Sequence, residues 1–160
     1  MNVRHLAEAA QTERLGAALG LSCPWSNTDA RCIFLHGPLG AGKTTVVRGL
    51  LRALGEQGAI HSPTYGLVES YALGPGEIVH VDLYRLQGEA DAEALGLRDS
   101  CHGGVLLLIE WPERAPAALP KPDLMLTLAP EESGRRCELA AGSPVGERWL
   151  AVISAGDAKG

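Results

Sequence analysis

Aromatic side chains are scarce in this chain of 160 residues: one Phe, three Trp and three Tyr make up 4%. Its core must therefore be aliphatic. No uninterrupted apolar run exceeds five residues, as in Val105–Ile109, far short of the roughly 20 that cross a bilayer. Near residue 1, Arg4, Glu8, Glu13 and Arg14 break up any apolar stretch of the signal-peptide kind. A basic excess is missing too. The net charge of -5 argues against a free-standing nucleic-acid binder, which carries cations to neutralise phosphates, but not against contact with RNA through a partner. No Cys-x-x-Cys pair occurs among Cys23, Cys32, Cys101 and Cys137. Zinc wants close ligand pairs and a disulfide framework wants a shorter, secreted chain, so reduced structural thiols are expected. What remains is a soluble, cytoplasmic protein without a membrane partner.

Length fits one domain. Helical spacing of apolar residues predicts a helix over residues 5–19, stopped by Gly20, and a second over residues 43–54, in which Val46, Val47, Leu50, Leu51 and Leu54 share a face opposite Arg48 and Arg52. Cys32–His36 reads as a buried strand. Leu67–Leu73 and Ile78–Leu83 flank Gly74-Pro75-Gly76 and read as a β-hairpin. Alternation along its second strand puts Ile78, His80, Asp82 and Tyr84 on one side and Val79, Val81 and Leu83 on the other. A short helix over Glu89–Leu97 precedes Val105–Ile109, whose unbroken apolar character fits a central strand covered on both faces. Residues 112–122 read as a loop or a single helical turn, and Leu124–Leu128 with Arg136–Leu139 as a closing strand pair. Val145–Ile153 fits either helix or strand. The expectation is one domain over residues 1–154 and a loose tail over 155–160. The fold class is α/β, a three-layer sandwich with a mixed, partly antiparallel central sheet and a β-hairpin after the second helix.

Gly37-Pro38-Leu39-Gly40-Ala41-Gly42-Lys43-Thr44 matches G-x-x-x-x-G-K-[ST] in full, with a strand before it and a helix after it. Each residue type has a reason. Glycines let consecutive backbone N–H groups turn inward onto phosphate oxygens, and the helix adds the positive end of its dipole. Lys43 brings a full charge to the β- and γ-phosphates, and the Thr44 hydroxyl is a hard ligand suited to Mg²⁺. The motif makes this a P-loop NTPase domain by expectation. Such proteins also place a carboxylate at the end of a neighbouring apolar strand, and here Val105–Ile109 runs directly into Glu110. Asp82 is the second candidate, either behind the metal, sensing a partner, or merely paired with Arg85. His80 alone reads as a core or edge histidine. In Ser62-Pro63-Thr64-Tyr65, Thr64 offers a hydroxyl that could reach Mg²⁺ or the γ-phosphate, as a switch segment does, although such a sequence is usually just a turn.

Several segments together resemble the TsaE (YjeE) family, small bacterial ATPases of the threonylcarbamoyladenosine (t6A) tRNA-modification pathway. The resemblance runs from about Glu8 to Leu139 and rests on GPLGAGKTT (37–45), SPTYGLVESY (62–71), HVDLYRL (80–86), ALGLRD (94–99) and LLIEWPE (107–113). It implies ATP or ADP held by Gly40, Ala41, Gly42, Lys43, Thr44 and Thr45, with Mg²⁺ on Thr44 and Glu110. Thr64, Asp82 and Trp111 occupy the family's other functional positions, and Gln11 and Thr12 match the part near the adenine. It further implies a TsaD–TsaB heterodimer as partner, tRNA met only through that complex, and an ATPase that supports repeated modification at position 37. The chain departs from the pattern at Ser100-Cys101, where an aromatic is expected, and after Leu139, which leaves Trp149 without a role.

Two other functions stay open on the residues alone. A small-molecule kinase would need an arginine-rich lid, and Arg114, Arg135, Arg136 and Arg148 form no evident cluster. A non-hydrolysing assembly switch would bind nucleotide without releasing phosphate. No N-K-x-D guanine-reading segment occurs. No arginine stands out as a finger supplied in cis, Arg85 being the nearest in motif terms, so hydrolysis by the chain alone is expected to be slow.

Overall fold

The computed structural model describes residues 1–63 and 67–157. Seven strands form one sheet in the order β1-β7-β6-β2-β5-β4-β3: β1 Asn2–Leu6, β2 Arg31–His36, β3 Val68–Leu73, β4 Gly76–Asp82, β5 Val105–Glu110, β6 Leu124–Pro130 and β7 Arg135–Ala141. β6, β2, β5 and β4 run parallel, and β3, β7 and β1 add antiparallel edges. The helices are α1 Ala9–Leu21, α2 Lys43–Ala53, α3 Glu89–Ala94 and α4 Pro144–Asp157. The mixed sheet and the hairpin after α2 are as the sequence predicts.

Each face of the sheet buries its own aliphatic cluster. On one face, Leu15 and Leu19 of α1, Val46, Val47, Leu50 and Leu51 of α2, and Trp149 and Ile153 of α4 pack against Ile33, Leu35, Ile78, Leu106 and Leu108. On the other, Val79, Val81, Leu83, Leu107 and Ile109 meet Ala92, Leu97, Ala115, Ala118 and Leu119. That second layer is α3 and three short 3-10 turns, so small residues suffice to cover it. All of β5 is buried because it has strands on both sides and layers on both faces.

α1 and α2 approach closely. A Cβ on Gly16 would stand 2.0 Å from the Val46 carbonyl oxygen, and one on Gly49 2.0 Å from that of Glu13. The two glycines let the backbones touch, which seats α1 against the helix that leaves the glycine loop.

Three expectations are corrected. His5 and Leu6 lie in β1, not in a helix: the first strand pairs with β7 through its backbone and buries only Leu6, which hides it from any apolar periodicity. α1 continues through Gly20, whose missing side chain admits Leu50. α4 runs past Ser154 to Asp157, so the expected boundary at 154/155 falls within a helix. Buried Ile153 and the bond from Asn2 Nδ2 to Ser154 Oγ (2.8 Å) fasten that end to β1. Trp149 is structural: its Nε1–H donates to Ser22 Oγ at 3.1 Å and ties α4 to the end of α1. No helix among the described residues is long and apolar enough to cross a membrane.

Candidate functional site

Residues 37–42 leave the C-terminal end of β2 and enter α2 at Lys43. β2 lies between β5 and β6, where chain connections diverge to opposite sides and open a crevice at the strand ends. Gly42 caps α2 with φ 108°, a left-handed conformation, and a Cβ there would stand 2.5 Å from Nη1 of Arg135. The conformation demands glycine at this position, and the missing side chain leaves room for the Arg135 guanidinium. The Ala41 N–H donates to the Pro38 carbonyl at 3.1 Å and tightens the turn.

A cavity of about 270 Å³ sits over this loop. Gly40, Gly42, Lys43, Thr44 and Thr45 bound it on one side, and Asp82, Glu110 and Trp111 on the other. Eight of the residues selected from the sequence thus meet at one place. Ala41 turns away and packs in the core. Ser62 also lines the cavity, but Thr64 lies outside the described residues.

The Lys43 ammonium donates to the carbonyls of Gly37 (2.5 Å) and Pro38 (2.9 Å) and lies 4.3 Å from the centre of the Trp111 ring. Burial lowers its pKa from the ordinary lysine value, and the carboxylates of Glu110, Asp82 and Glu113 partly oppose that shift. The Thr44 hydroxyl lies 2.5 Å from Ser62 Oγ and donates to Glu110 Oε1 at 3.2 Å. Glu110 is 2% exposed, so it is no solvated strand-end acid. The same Oε1 lies 2.9 Å from His80 Nε2, and His80 is fully buried. The parallel register of β4 and β5 sets Asp82 beside Glu110. Desolvation raises the Asp82 pKa, the bond from the Tyr84 N–H to Oδ1 (3.0 Å) opposes this, and the negative charge of Glu110 adds to it.

Trp111 has φ 59° and ψ 46°. A bulky residue in the left-handed region stores of order 1–3 kcal/mol of strain, a feature that concentrates at functional sites. The turn swings the indole back across the cavity. Its ring centre lies 5.0 Å from that of Tyr84, and the Arg114 guanidinium stands 5.4 Å from Tyr84 and 5.6 Å from Trp111.

Gln11 and Thr12 stand apart from the loop's own cavity. Gln11 Oε1 accepts the N–H groups of Ala7 (2.5 Å) and Glu8 (3.1 Å) and caps α1. Thr12 is fully buried, and its hydroxyl accepts a hydrogen bond from Arg135 Nη1 at 3.1 Å. Arg135 is the residue sequence reasoning missed. It begins β7, and only the antiparallel return of that strand past β6 brings its guanidinium between Thr12 and Gly42. No spacing in the sequence marks it.

The donors present fit Mg²⁺. A threonine hydroxyl and a carboxylate in contact are hard oxygen ligands, and Mg²⁺ typically takes few protein ligands and completes its shell with phosphate and water. Among the described residues, no three histidine, cysteine or carboxylate side chains are grouped to hold a metal by themselves.

A glycine loop between a parallel strand and a helix, with a buried carboxylate at the end of the next strand, defines a P-loop NTPase-like domain. The fold agrees: a crystal structure of YdiB from Bacillus subtilis superposes with a TM-score of 0.79 over 98% of this chain and 95% of that one, at 24% identity. The model of the family described as "Threonylcarbamoyl adenosine biosynthesis protein TsaE" matches residues 6–137. Among its relatives are the tRNA threonylcarbamoyladenosine biosynthesis proteins TsaE of Haemophilus influenzae, 39% identical with 76% of this chain and 77% of that one covered, and of Treponema pallidum, 33% identical with 84% and 96% covered. The chain belongs to the TsaE family.

Proposed function

We propose that the chain binds and hydrolyses Mg·ATP in support of the t6A modification of tRNA. The observation that carries this reading is the contact between the Thr44 hydroxyl of the glycine loop and the buried Glu110 carboxylate at one end of the cavity. Family membership supplies the pathway. The TsaD–TsaB heterodimer is the partner this reading names, with tRNA reached through it, in the cytoplasm.

In this reading the ammonium of Lys43 exchanges the carbonyls of Gly37 and Pro38 for phosphate oxygens, and the N–H groups at the start of α2 face the same anion. Arg135 adds a second positive charge beside Gly42. Thr44 and Glu110 would hold Mg²⁺, which when bound neutralises charge on the phosphates. Trp111 covers Lys43 and limits the entry of water. Asp82 flanks Glu110, and a carboxylate whose affinity for protons is raised by burial suits the acceptance of a proton from attacking water.

The test is phosphate release from Mg·ATP by the purified chain, alone and with a TsaD–TsaB pair plus tRNA. Slow release alone and strong stimulation by the pair are expected. Nucleotide binding without release in either condition would overturn hydrolysis in favour of an assembly switch. Phosphate transfer to an added small molecule would overturn it in favour of a kinase.

A further inference from the structure

His80 contributes nothing to the scheme above, yet it is the only described side chain apart from Thr44 that hydrogen-bonds to Glu110. We propose that His80 is a positioning residue: its Nε2–H ties down one oxygen of the Glu110 carboxylate and thereby fixes the other for a divalent cation. The inference rests on the reading of Glu110 as a metal ligand.

Geometry assigns the donor. β4 and β5 are parallel, with His80 opposite Leu108 and Asp82 opposite Glu110. His80, Asp82 and Glu110 therefore share the sheet face that α2 covers, and the imidazole reaches diagonally to the carboxylate. A carboxylate only accepts, so Nε2 carries the proton. At 2.9 Å this bond has the usual N–H···O length, whereas the Thr44 hydroxyl at 3.2 Å is long for an O–H donor. His80 is the firmer tether. Both donors fall on Oε1, and Oε2 receives no hydrogen bond among the described residues.

The residue type matters as much as the contact. A buried carboxylate needs hydrogen bonds to offset its lost hydration. Arginine or lysine would supply them but would cancel the negative charge that attracts a cation. An imidazole Nε2–H supplies one such donor without the permanent charge of those side chains. The other ring nitrogen agrees: His80 Nδ1 is buried without a hydrogen-bond partner among the described residues. A hydrogen on Nδ1 would be an unsatisfied buried donor, so the surroundings select the tautomer with its proton on Nε2. Partners that orient a metal-ligating side chain typically change metal affinity or activity about 10- to 100-fold when lost.

Two measurements test the role without relying on turnover. Long-range ¹H–¹⁵N spectra of the nucleotide-free parent protein should show His80 as the Nε2–H tautomer; an Nδ1–H tautomer overturns the proposal. Mn²⁺ binding to the ADP-loaded protein, read by electron paramagnetic resonance, should weaken about tenfold or more in His80→Phe, which keeps a ring but has no donor. ADP affinity in EDTA should stay within about twofold of the parent. His80→Gln, long enough to bring an amide N–H to Oε1, should recover most of the Mn²⁺ affinity, and the shorter His80→Asn should not. This pair decides the matter if the phenylalanine variant does not fold. Unchanged Mn²⁺ affinity in both His80→Phe and His80→Asn overturns the positioning role alone. A parent that binds Mn²⁺·ADP but never releases phosphate overturns the hydrolytic reading, while a loss of Mn²⁺ affinity in the variants still upholds the role of His80.

Discussion

Glu110→Gln removes one charge and almost no volume, which makes it the sharpest probe of the site. Glutamine keeps a carbonyl oxygen where Oε1 stands, so the donors at 2.9 Å and 3.2 Å retain an acceptor. Alanine would strand both and leave a cavity. Because the hydrogen bonds survive, stability should change by no more than about 1 kcal/mol, or roughly 2–4 °C in Tm for a chain of this size. Chemistry should respond very differently. The cavity loses the negative charge that the metal reading needs, and an amide is a poor ligand for a hard cation. We expect kcat for ATP hydrolysis with the partner pair to fall at least 100-fold, about 2.7 kcal/mol in transition-state free energy. Fluorescence titration with a labelled ADP in EDTA should give an affinity within about threefold of the parent, because binding without metal does not use this carboxylate. Hydrolysis within about threefold of the parent rate would refute the assignment of Glu110. A large fall in Tm would show instead that its charge serves the fold.

Arg135→Ala should lower ATP affinity about tenfold, near 1.4 kcal/mol for one charge-assisted contact. It should also lower Tm, because the buried Thr12 hydroxyl loses its donor; equal affinity by calorimetry with a lowered Tm would place its guanidinium in a packing role with Thr12. Gly49→Ala drives a methyl to within 2.0 Å of the Glu13 carbonyl oxygen, so an overpacking cost of about 1–3 kcal/mol should outweigh a gain of about 1 kcal/mol in helix propensity and lower Tm. Gly156→Ala, where a Cβ meets nothing within 4 Å, should leave Tm unchanged or raise it, and calorimetry of the two variants gives the contrast. Burial pushes the thiols of Cys137 and Cys23 up to about 11 and about 12, from the ordinary value of 9.0. Folded values raised above unfolded ones mean that this stabilisation is complete below pH 9 and is lost as the pH climbs through 11 to 12, at up to about 1.4 kcal/mol per pH unit for each thiol. Urea unfolding from pH 8 to 10.5 should show the decline, and Cys137→Ala should flatten it.

How much was legible in the sequence depended on how local each signal was. The glycine loop, its flanking strand and helix, and Glu110 at the end of an apolar strand are written in consecutive residues, and the structure joins them at one cavity. The alternation along β4 correctly set His80 and Asp82 apart from Val79 and Val81. The contact between His80 and Glu110 could not be read, because it needs β4 to lie beside β5, a relation of neighbouring strands. β1 escaped for a similar reason: its support is backbone pairing with β7, and only Leu6 among its side chains is buried. Arg135 was visible as a residue but not as a neighbour of Gly42, since β7 delivers it by reversing direction after β6.

The pairing of β1 with β7 also bears on how the protein is made. Asn2–Leu6 emerges during synthesis well before its partner residues, Arg135–Leu139. β2, from which the loop springs, has both of its strand neighbours, β5 and β6, in the second half of the chain, and only the close packing of α1 on α2 is local. Thr12 must wait for Arg135, and that side of the glycine loop closes only when β7 has returned past β6. Such long-range closure is slow to form because it carries a large loop-entropy cost. Ribosome-bound fragments ending before residue 135 should lack the Thr12–Arg135 bridge altogether.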